Sequence, residues 1–350
     1  MSTSAPMSRN EELIAAIRNE IHKTPAADLE DVHKPSEEVV PEDDTVFGVK
    51  LDPRVKMDPF KHEDWDAHIQ ARIPTVAPYA FNAKNLERLL FAMKMGGPIL
   101  LHGPTGTGKT SIAQQVAARL NIPFFRQSCH RDMESAEFLG QTGVKNEGGV
   151  PITYHSDTDT TLAMRYGGML VIDEAFRTSA LMSIQSVFEQ PPSLVLQDAD
   201  GVQRALTPTQ PLFIVLTDNT NGTGDSSGKY IAQVQDLSTL DRVSHAIFVD
   251  YMTPDEEMEI LSNVYGKPSK KDEKVQKMMV KTANLVRAAF KEGKIMQTMS
   301  IRGLMNWFRY YQVLETPGDA YVRAYWDKLG PDCKAVANQC YRQVFGKDVA

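Results

Sequence analysis

Apolar residues along the 350-residue chain fall into two periods, and the periods alternate. Five short segments read as strands: 98–102, 124–127, 169–173, 212–216 and 245–249. Four of them are almost continuously apolar, the pattern of strands covered on both faces. Helical spacing appears between them. Leu86, Leu89, Leu90 and Met93 share one face of a helix predicted over 82–95, which Gly96 and Gly97 end. Helices are also predicted over 111–120, over 132–139 with Asp132 as N-cap, over 157–166 and over 179–189. Two further segments read as hairpins: 141–155 with Gly148 and Gly149 at its tip, and 193–206 turning at Asp200-Gly201. A glycine-rich loop over 222–228 leads into a helix ending at Leu240, and Thr253-Pro254 opens another. Beyond residue 267 the pattern is wholly helical: 275–291, 298–314 and 320–345. Tyr310, Tyr311, Tyr321, Tyr325 and Trp326 read as core of that region rather than as a base-stacking platform. Strands alternating with helices, then helices alone, predict a doubly wound α/β core followed by a helical unit.

The chain's beginning departs from both periods. Residues 1–45 read as an acidic, Pro-rich arm, partly disordered, with a linker over 24–45 that carries Pro25, Pro35 and Pro41. Within the arm, Leu13, Ile14, Ile17 and Ile21 share a helical face, which suits either packing on the chain's own body or docking of a partner. Residues 46–78, broken by Pro53, Pro59 and Pro74, read as irregular chain wrapped on the core. The division expected is therefore arm 1–45, α/β core 46–265 and helical region 266–350.

Charge follows the same division. The net charge is −7, yet the first 70 residues alone carry eight Lys/Arg against sixteen Asp/Glu, so the remainder is close to neutral. That balance argues against nucleic acid as a partner. No apolar run has the length of a membrane span, and the N-terminus is polar, so a cytoplasmic protein with no membrane partner is expected. The three cysteines, Cys129, Cys333 and Cys340, have neither metal-ligand spacing nor a disulfide framework.

Chemistry concentrates where the first strand ends. Gly103-Pro104-Thr105-Gly106-Thr107-Gly108-Lys109-Thr110-Ser111 links that strand to the next helix and fits the phosphate-binding pattern G-x-x-x-x-G-K-[ST]. Gly103, Gly106 and Gly108 let the backbone curl so that N–H groups converge on phosphate oxygens. The helix start adds free N–H donors and partial positive charge. Lys109 is placed to reach β- and γ-phosphates, and the Thr110 hydroxyl to ligate Mg2+. Some sixty residues later a strand runs Leu170-Val171-Ile172 into Asp173-Glu174. In P-loop enzymes a strand-end Asp helps hold the metal, and a Glu beside it can act as general base toward water. The pair of motifs implies an ATPase using ATP and Mg2+.

With these pieces assembled, the chain resembles the AAA+ ATPases of the MoxR branch, and within it the ATPase subunits of aerobic cobaltochelatases. Residues 103–110 take the Walker A place and 170–174 the Walker B place. In Leu216-Thr217-Asp218-Asn219-Thr220, Asn219 takes the sensor-1 place; in Leu240-Asp241-Arg242, Arg242 takes the arginine-finger place; in Ser300-Ile301-Arg302, Arg302 takes the sensor-2 place. The two hairpins also fit this branch, and the similarity spans about 45–310. Three positions differ from the cobaltochelatase subunits: Pro104 and Thr105 stand where they carry Tyr-His, and Asp218 precedes Asn219 where they carry Ala or Thr. The resemblance implies a five-stranded parallel sheet in the order 5-1-4-3-2, two β-hairpin inserts and an all-helical lid. It also implies a homo-oligomeric ring, a hexamer, that remodels or activates a protein carrying a von Willebrand factor A domain. In such a ring Asn219 positions water, Arg242 serves a neighbour's site, and Arg302 acts within its own subunit or across to the next. Alternatives are the ATPase subunit of a cobaltochelatase and, from another class, a nucleic-acid motor.

Overall fold

The computed structural model describes residues 43–44, 46–197, 203–225, 227–230 and 232–349. The amphipathic segment around Ile14 and Ile17 and the Asp200-Gly201 turn lie outside them. The strands used below are β1 (Ile99–His102), β2 (Phe124–Ser128), β3 (Gln141–Glu147), β4 (Val150–Ser156), β5 (Gly168–Asp173), β6 (Leu194–Gln197), β7 (Gln203–Leu206), β8 (Leu212–Asp218) and β9 (His245–Phe248). The helices used below are α1 (Ala83–Met95), α2 (Lys109–Arg119), α3 (Ser135–Leu139), α4 (Asp159–Tyr166), α5 (Leu237–Asp241), α6 (Pro254–Tyr265), α7 (Lys270–Lys291), α8 (Ile301–Leu314), α9 (Pro317–Ala324) and α10 (Pro331–Phe345).

Five parallel strands form the central sheet in the order β9-β1-β8-β5-β2. In order of occurrence this is the 5-1-4-3-2 arrangement. The register sets the site. Asp218 of β8 pairs with His102 of β1, and Thr217 pairs with Asp173 of β5, so the C-terminal ends of three strands come level. Every residue of β5 is buried, which explains its unbroken apolar run. One face of the sheet packs on α1, α2 and the irregular lead-in, whose Phe47, Leu51 and Trp65 join Leu89, Val116 and Val215. The lead-in is tied down by Trp65 Nε1 donating to Asn121 O at 2.9 Å and Phe60 N to Leu120 O at 2.9 Å. The opposite face packs Phe125, Phe138, Met164, Phe176 and Leu181. A separate core around Trp307, Tyr321 and Tyr341 joins the helices from α6 onward. Tyr311, Tyr321 and Tyr325 are buried there, whereas Tyr310 is exposed. The two hairpins, β3–β4 and β6–β7, are antiparallel ladders outside the central sheet. No described helix is long and apolar enough to cross a membrane, and the three cysteines are free thiols.

Four helix expectations need correction. The segment expected to be α-helical over 179–189 is a 3₁₀ run, Ala180–Phe188. Its buried Leu181, Ile184 and Val187 recur every third residue, which lines one side of a three-per-turn helix. The expected helix over 132–139 is only α3, capped by a reciprocal Glu134–Glu137 box instead of Asp132. The helix expected before Leu240 is only the short α5, capped by Asp236. The expected helix over 320–345 breaks into α9, a 3₁₀ turn (Trp326–Lys328) and α10. Pro331 has no N–H to continue a helix and holds Gly330 extended.

Candidate functional site

At the C-terminal edge of the sheet, β1 turns into α2 through three glycines in the left-handed half of backbone space: Gly103 (φ +140°), Gly106 (φ +74°) and Gly108 (φ +88°). Two of them are also pressed by neighbours. A Cβ on Gly103 would lie 2.3 Å from Val249 O, and one on Gly106 would lie 2.1 Å from Ser300 Cβ, where the helical region seats on the loop. Gly108 caps α2 and brings no side chain to its first turn, so the N–H donors of Lys109, Thr110 and Ser111 open into the loop's concavity. The Thr107 hydroxyl closes the loop by donating to Pro104 O at 3.1 Å.

Lys109 points back into this loop. Its Nζ donates to Gly103 O and Pro104 O at 2.8 Å each and to Asn219 Oδ1 at 3.0 Å. Burial lowers its pKa to about 8, against the pull of Asp218, Asp173 and Glu174. Asp173, at the end of β5, is fully engaged. One carboxylate oxygen accepts from Thr110 Oγ1 at 2.7 Å and from Thr217 Oγ1; the other takes the Arg126 guanidinium, with Nε at 3.0 Å. Burial pushes this carboxyl up, but the bonds from Thr217, Thr110 and Arg126 outweigh it and the pKa is lowered. An Asp carboxylate beside a Thr hydroxyl, with water completing the sphere, is a donor set that Mg2+ accepts. The residues therefore fit the metal and a bound triphosphate.

Glu174 follows on a left-handed turn (φ +56°), a conformation costing a non-glycine residue about 1–2 kcal/mol. The turn is held by fully buried Ala175 and Phe176 and by Phe176 N–H donating to Asp218 Oδ2 at 3.0 Å. Burial raises the Glu174 pKa, Asp173 and Asp218 add to that, and Arg177, ion-paired at 3.0 Å, opposes it.

The structure thus brings together the loop 103–111, Asp173, Glu174 and Asn219. It does not bring Arg242 to them. Arg242 pairs with Glu189 at 3.1 Å and donates to Ser238 O at 2.8 Å on an exposed surface. Arg302 lies in the first turn of α8, exposed, lining a cavity of about 240 Å3 with Lys328 and Tyr325. Residues unforeseen from sequence also belong to the site: Arg126 and Thr217 on Asp173, and two tyrosines on Thr105. Tyr251 OH donates to Thr105 O at 2.9 Å, and Thr105 N–H donates to Tyr230 OH at 3.4 Å. Arg126 left a trace in the sequence as a charge interrupting a predicted strand, and Thr217 as part of the 216–220 motif, though neither was assigned to Asp173.

The chain is similar in sequence to several known proteins. A family model described as an AAA domain of the dynein-related subfamily matches residues 98–231. The chain is 28% identical over 306 residues to the aerobic cobaltochelatase subunit CobS of a Sinorhizobium species, covering 86% of this chain and 89% of that one. It is 37% identical over 108 residues to the denitrification regulatory protein NirQ of Stutzerimonas stutzeri, covering 29% and 38% of the two chains. It is 26% identical over 211 residues to the protein CbbQ of Hydrogenophilus thermoluteolus, covering 59% and 73%. Among solved structures, the Thermotoga maritima RuvB Holliday junction branch migration motor aligns at a TM-score of 0.41 and 15% identity, over 80% of this chain and 75% of that one.

Proposed function

We propose that this chain is an AAA+ ATPase of the MoxR branch that hydrolyses Mg-ATP within a homo-oligomeric ring, a hexamer, to remodel or activate a protein partner carrying a von Willebrand factor A domain. The observation that carries the chemistry is the convergence of Lys109, Thr110, Asp173, Glu174 and Asn219 at level strand ends. The N–H groups of 106–111 bind the phosphates. Lys109 exchanges the Gly103 and Pro104 carbonyls for β- and γ-phosphate oxygens. Thr110 and Asp173 would hold Mg2+, which when bound neutralises charge between those phosphates. Glu174, with its pKa raised by burial, accepts the proton of the attacking water, and Asn219 orients that water. Arg242 comes from a neighbouring subunit. Its pairing with Glu189 is an exposed one, worth about 0–1 kcal/mol, and does not hold it back. Arg302 enters from the lid.

The partner class comes from the resemblance to the MoxR branch. Its test is capture: Glu174→Gln protein loaded with ATP is expected to retain a von Willebrand A-domain protein that the ADP-bound chain releases. Equal retention in both states would sink the remodelling role. A second reading, the ATPase component of a cobaltochelatase, is favoured by the 28% identity to CobS over most of both chains. ATP-dependent cobalt insertion into a corrinoid, on adding this chain to a chelatase large subunit, would establish it.

A further inference from the structure

The lid reaches the P-loop by a route that the proposed chemistry does not use. Thr105 is gripped at both ends of its backbone. Tyr251 OH donates to its carbonyl at 2.9 Å, and its N–H donates to Tyr230 OH at 3.4 Å. Both tyrosines rest on one face of α7, against two residues three positions apart. The Arg287 guanidinium lies 4.4 Å from the centre of the Tyr251 ring, and the Phe290 ring packs edge-on to Tyr230 at 6.4 Å. Arg287 is itself fixed. Its side chain is 3% exposed, and it pairs at 2.6 Å with Glu257 of α6, which is fully buried. Its Nε donates to Met299 O at 2.8 Å, immediately before the Ser300 that packs on Gly106. One buried cation therefore holds both the tyrosine that grips Thr105 and the start of the helix that seats on Gly106. Tyr251 OH also lies 3.2 Å from Thr298 Oγ1, joining the two contacts. Burial pushes the Tyr251 phenol up to about 12, so it keeps its donor proton through the neutral range.

We propose that Tyr251 and Tyr230 are positioning residues: a two-phenol latch, anchored on α7, that sets the conformation of Thr105 and Gly106 and makes the P-loop's hold on nucleotide phosphate depend on where the lid sits. This rests on the reading of the P-loop as the ATP site. Neither phenol needs to touch the nucleotide. A displacement of α7 moves both tyrosines and, through them, one peptide of the loop. Conversely, a nucleotide that reshapes the loop pushes on α7.

The test uses the full chain with Tyr251→Phe, Tyr230→Phe, the double variant and Arg287→Lys, reading ATP Kd, KM, kcat and thermal midpoint. Tyr251→Phe keeps the ring under Arg287 and removes only the hydroxyl. Losing one net hydrogen bond should raise Kd and KM for ATP about three- to tenfold, leaving kcat within about twofold and lowering the midpoint by no more than about 2–4 °C. The double variant should show coupling between the two sites instead of a simple product of the single effects. Arg287→Lys retains the charge opposite Glu257 but loses the flat face and the Met299 bond. It should raise KM as Tyr251→Phe does. ATP affinity unchanged in the Tyr251→Phe and double variants overturns the latch, as does a fall in kcat and midpoint with KM constant. If Arg287→Lys fails to fold, the tyrosine variants decide alone. A wild-type chain that binds no ATP overturns the P-loop reading and the latch together, whereas normal wild-type binding with indifferent variants overturns the latch only.

Discussion

Lys109 and Asp173 share a buried site and meet burial differently. Asp173 has hydrogen bonds from Thr217, Thr110 and Arg126 to keep it ionised. Lys109 has mainly carbonyls and an amide, and its pKa falls to about 8. An ATP phosphate binds the ammonium form, so above pH 8 the empty site must take up a proton before it can bind. ATP affinity is expected to weaken toward tenfold per pH unit above 8, with a proton taken up on binding. Titration calorimetry at pH 8.5 in two buffers of different ionisation enthalpy checks this; a Kd flat from pH 7 to 9 would exclude it. Lys109→Ala removes the one side-chain cation within the loop and is expected to abolish or severely weaken ATP binding, as equilibrium dialysis would show. Glu174→Gln is expected to bind ATP normally and to hydrolyse it about 10²–10⁴-fold more slowly, because an amide cannot accept the water's proton. Near-normal turnover in single-cycle assays would move the base elsewhere. The P-loop and Asp173-Glu174 were legible because each is contiguous and sits where a predicted strand stops. Arg126, Tyr230 and Tyr251 were not, since each reaches the site across the fold from a separate stretch of chain.

Among elements, buried strands announced themselves best, since covering on both faces leaves little but apolar residues in β5 and β8. Helices whose apolar spacing is three, or that contain a proline, were misread. Leu181, Ile184 and Val187 suit a 3₁₀ run, and Gly330-Pro331 interrupts a face that otherwise continues from α9 to α10. Nothing in the spacing disclosed that α6 and α7 are joined by a charge pair in their core. Glu257 and Arg287 are both buried and 2.6 Å apart. Burial raises the Glu257 pKa, and Arg287 opposes the shift. Removing one partner strands the other charge, so Glu257→Gln is expected to destabilise the helical region by about 3–5 kcal/mol. Denaturant titration followed by tryptophan fluorescence is the measurement, because Trp307 lies in that core. A loss below about 1 kcal/mol would mean that the buried guanidinium finds compensation elsewhere.

At the scale of the molecule, the arrangement leaves one proposed participant away from its site. Arg242 ends α5, just ahead of β9 at the edge of the sheet, and its side chain pairs with Glu189 instead of any P-loop residue. Its place was legible only through the resemblance, because a ring's neighbour leaves no periodicity in a single chain. If Arg242 serves the next subunit, a lone subunit lacks a complete site, and specific activity should rise steeply with protein concentration. Arg242→Ala should bind ATP almost as wild type does, since Lys109, Thr110 and Asp173 remain, yet hydrolyse it about 10³–10⁵-fold more slowly. Mixing separates this from an indirect effect. Lys109→Ala subunits lack a site of their own but still present Arg242; Arg242→Ala subunits keep a site and lack the arginine. Combined in one assembly, they should recover part of the activity that neither shows alone, greatest near equal proportions. Sedimentation must show that the two variants co-assemble. Co-assembly without any recovery would leave Arg242 acting in its own subunit, or serving only to hold Glu189.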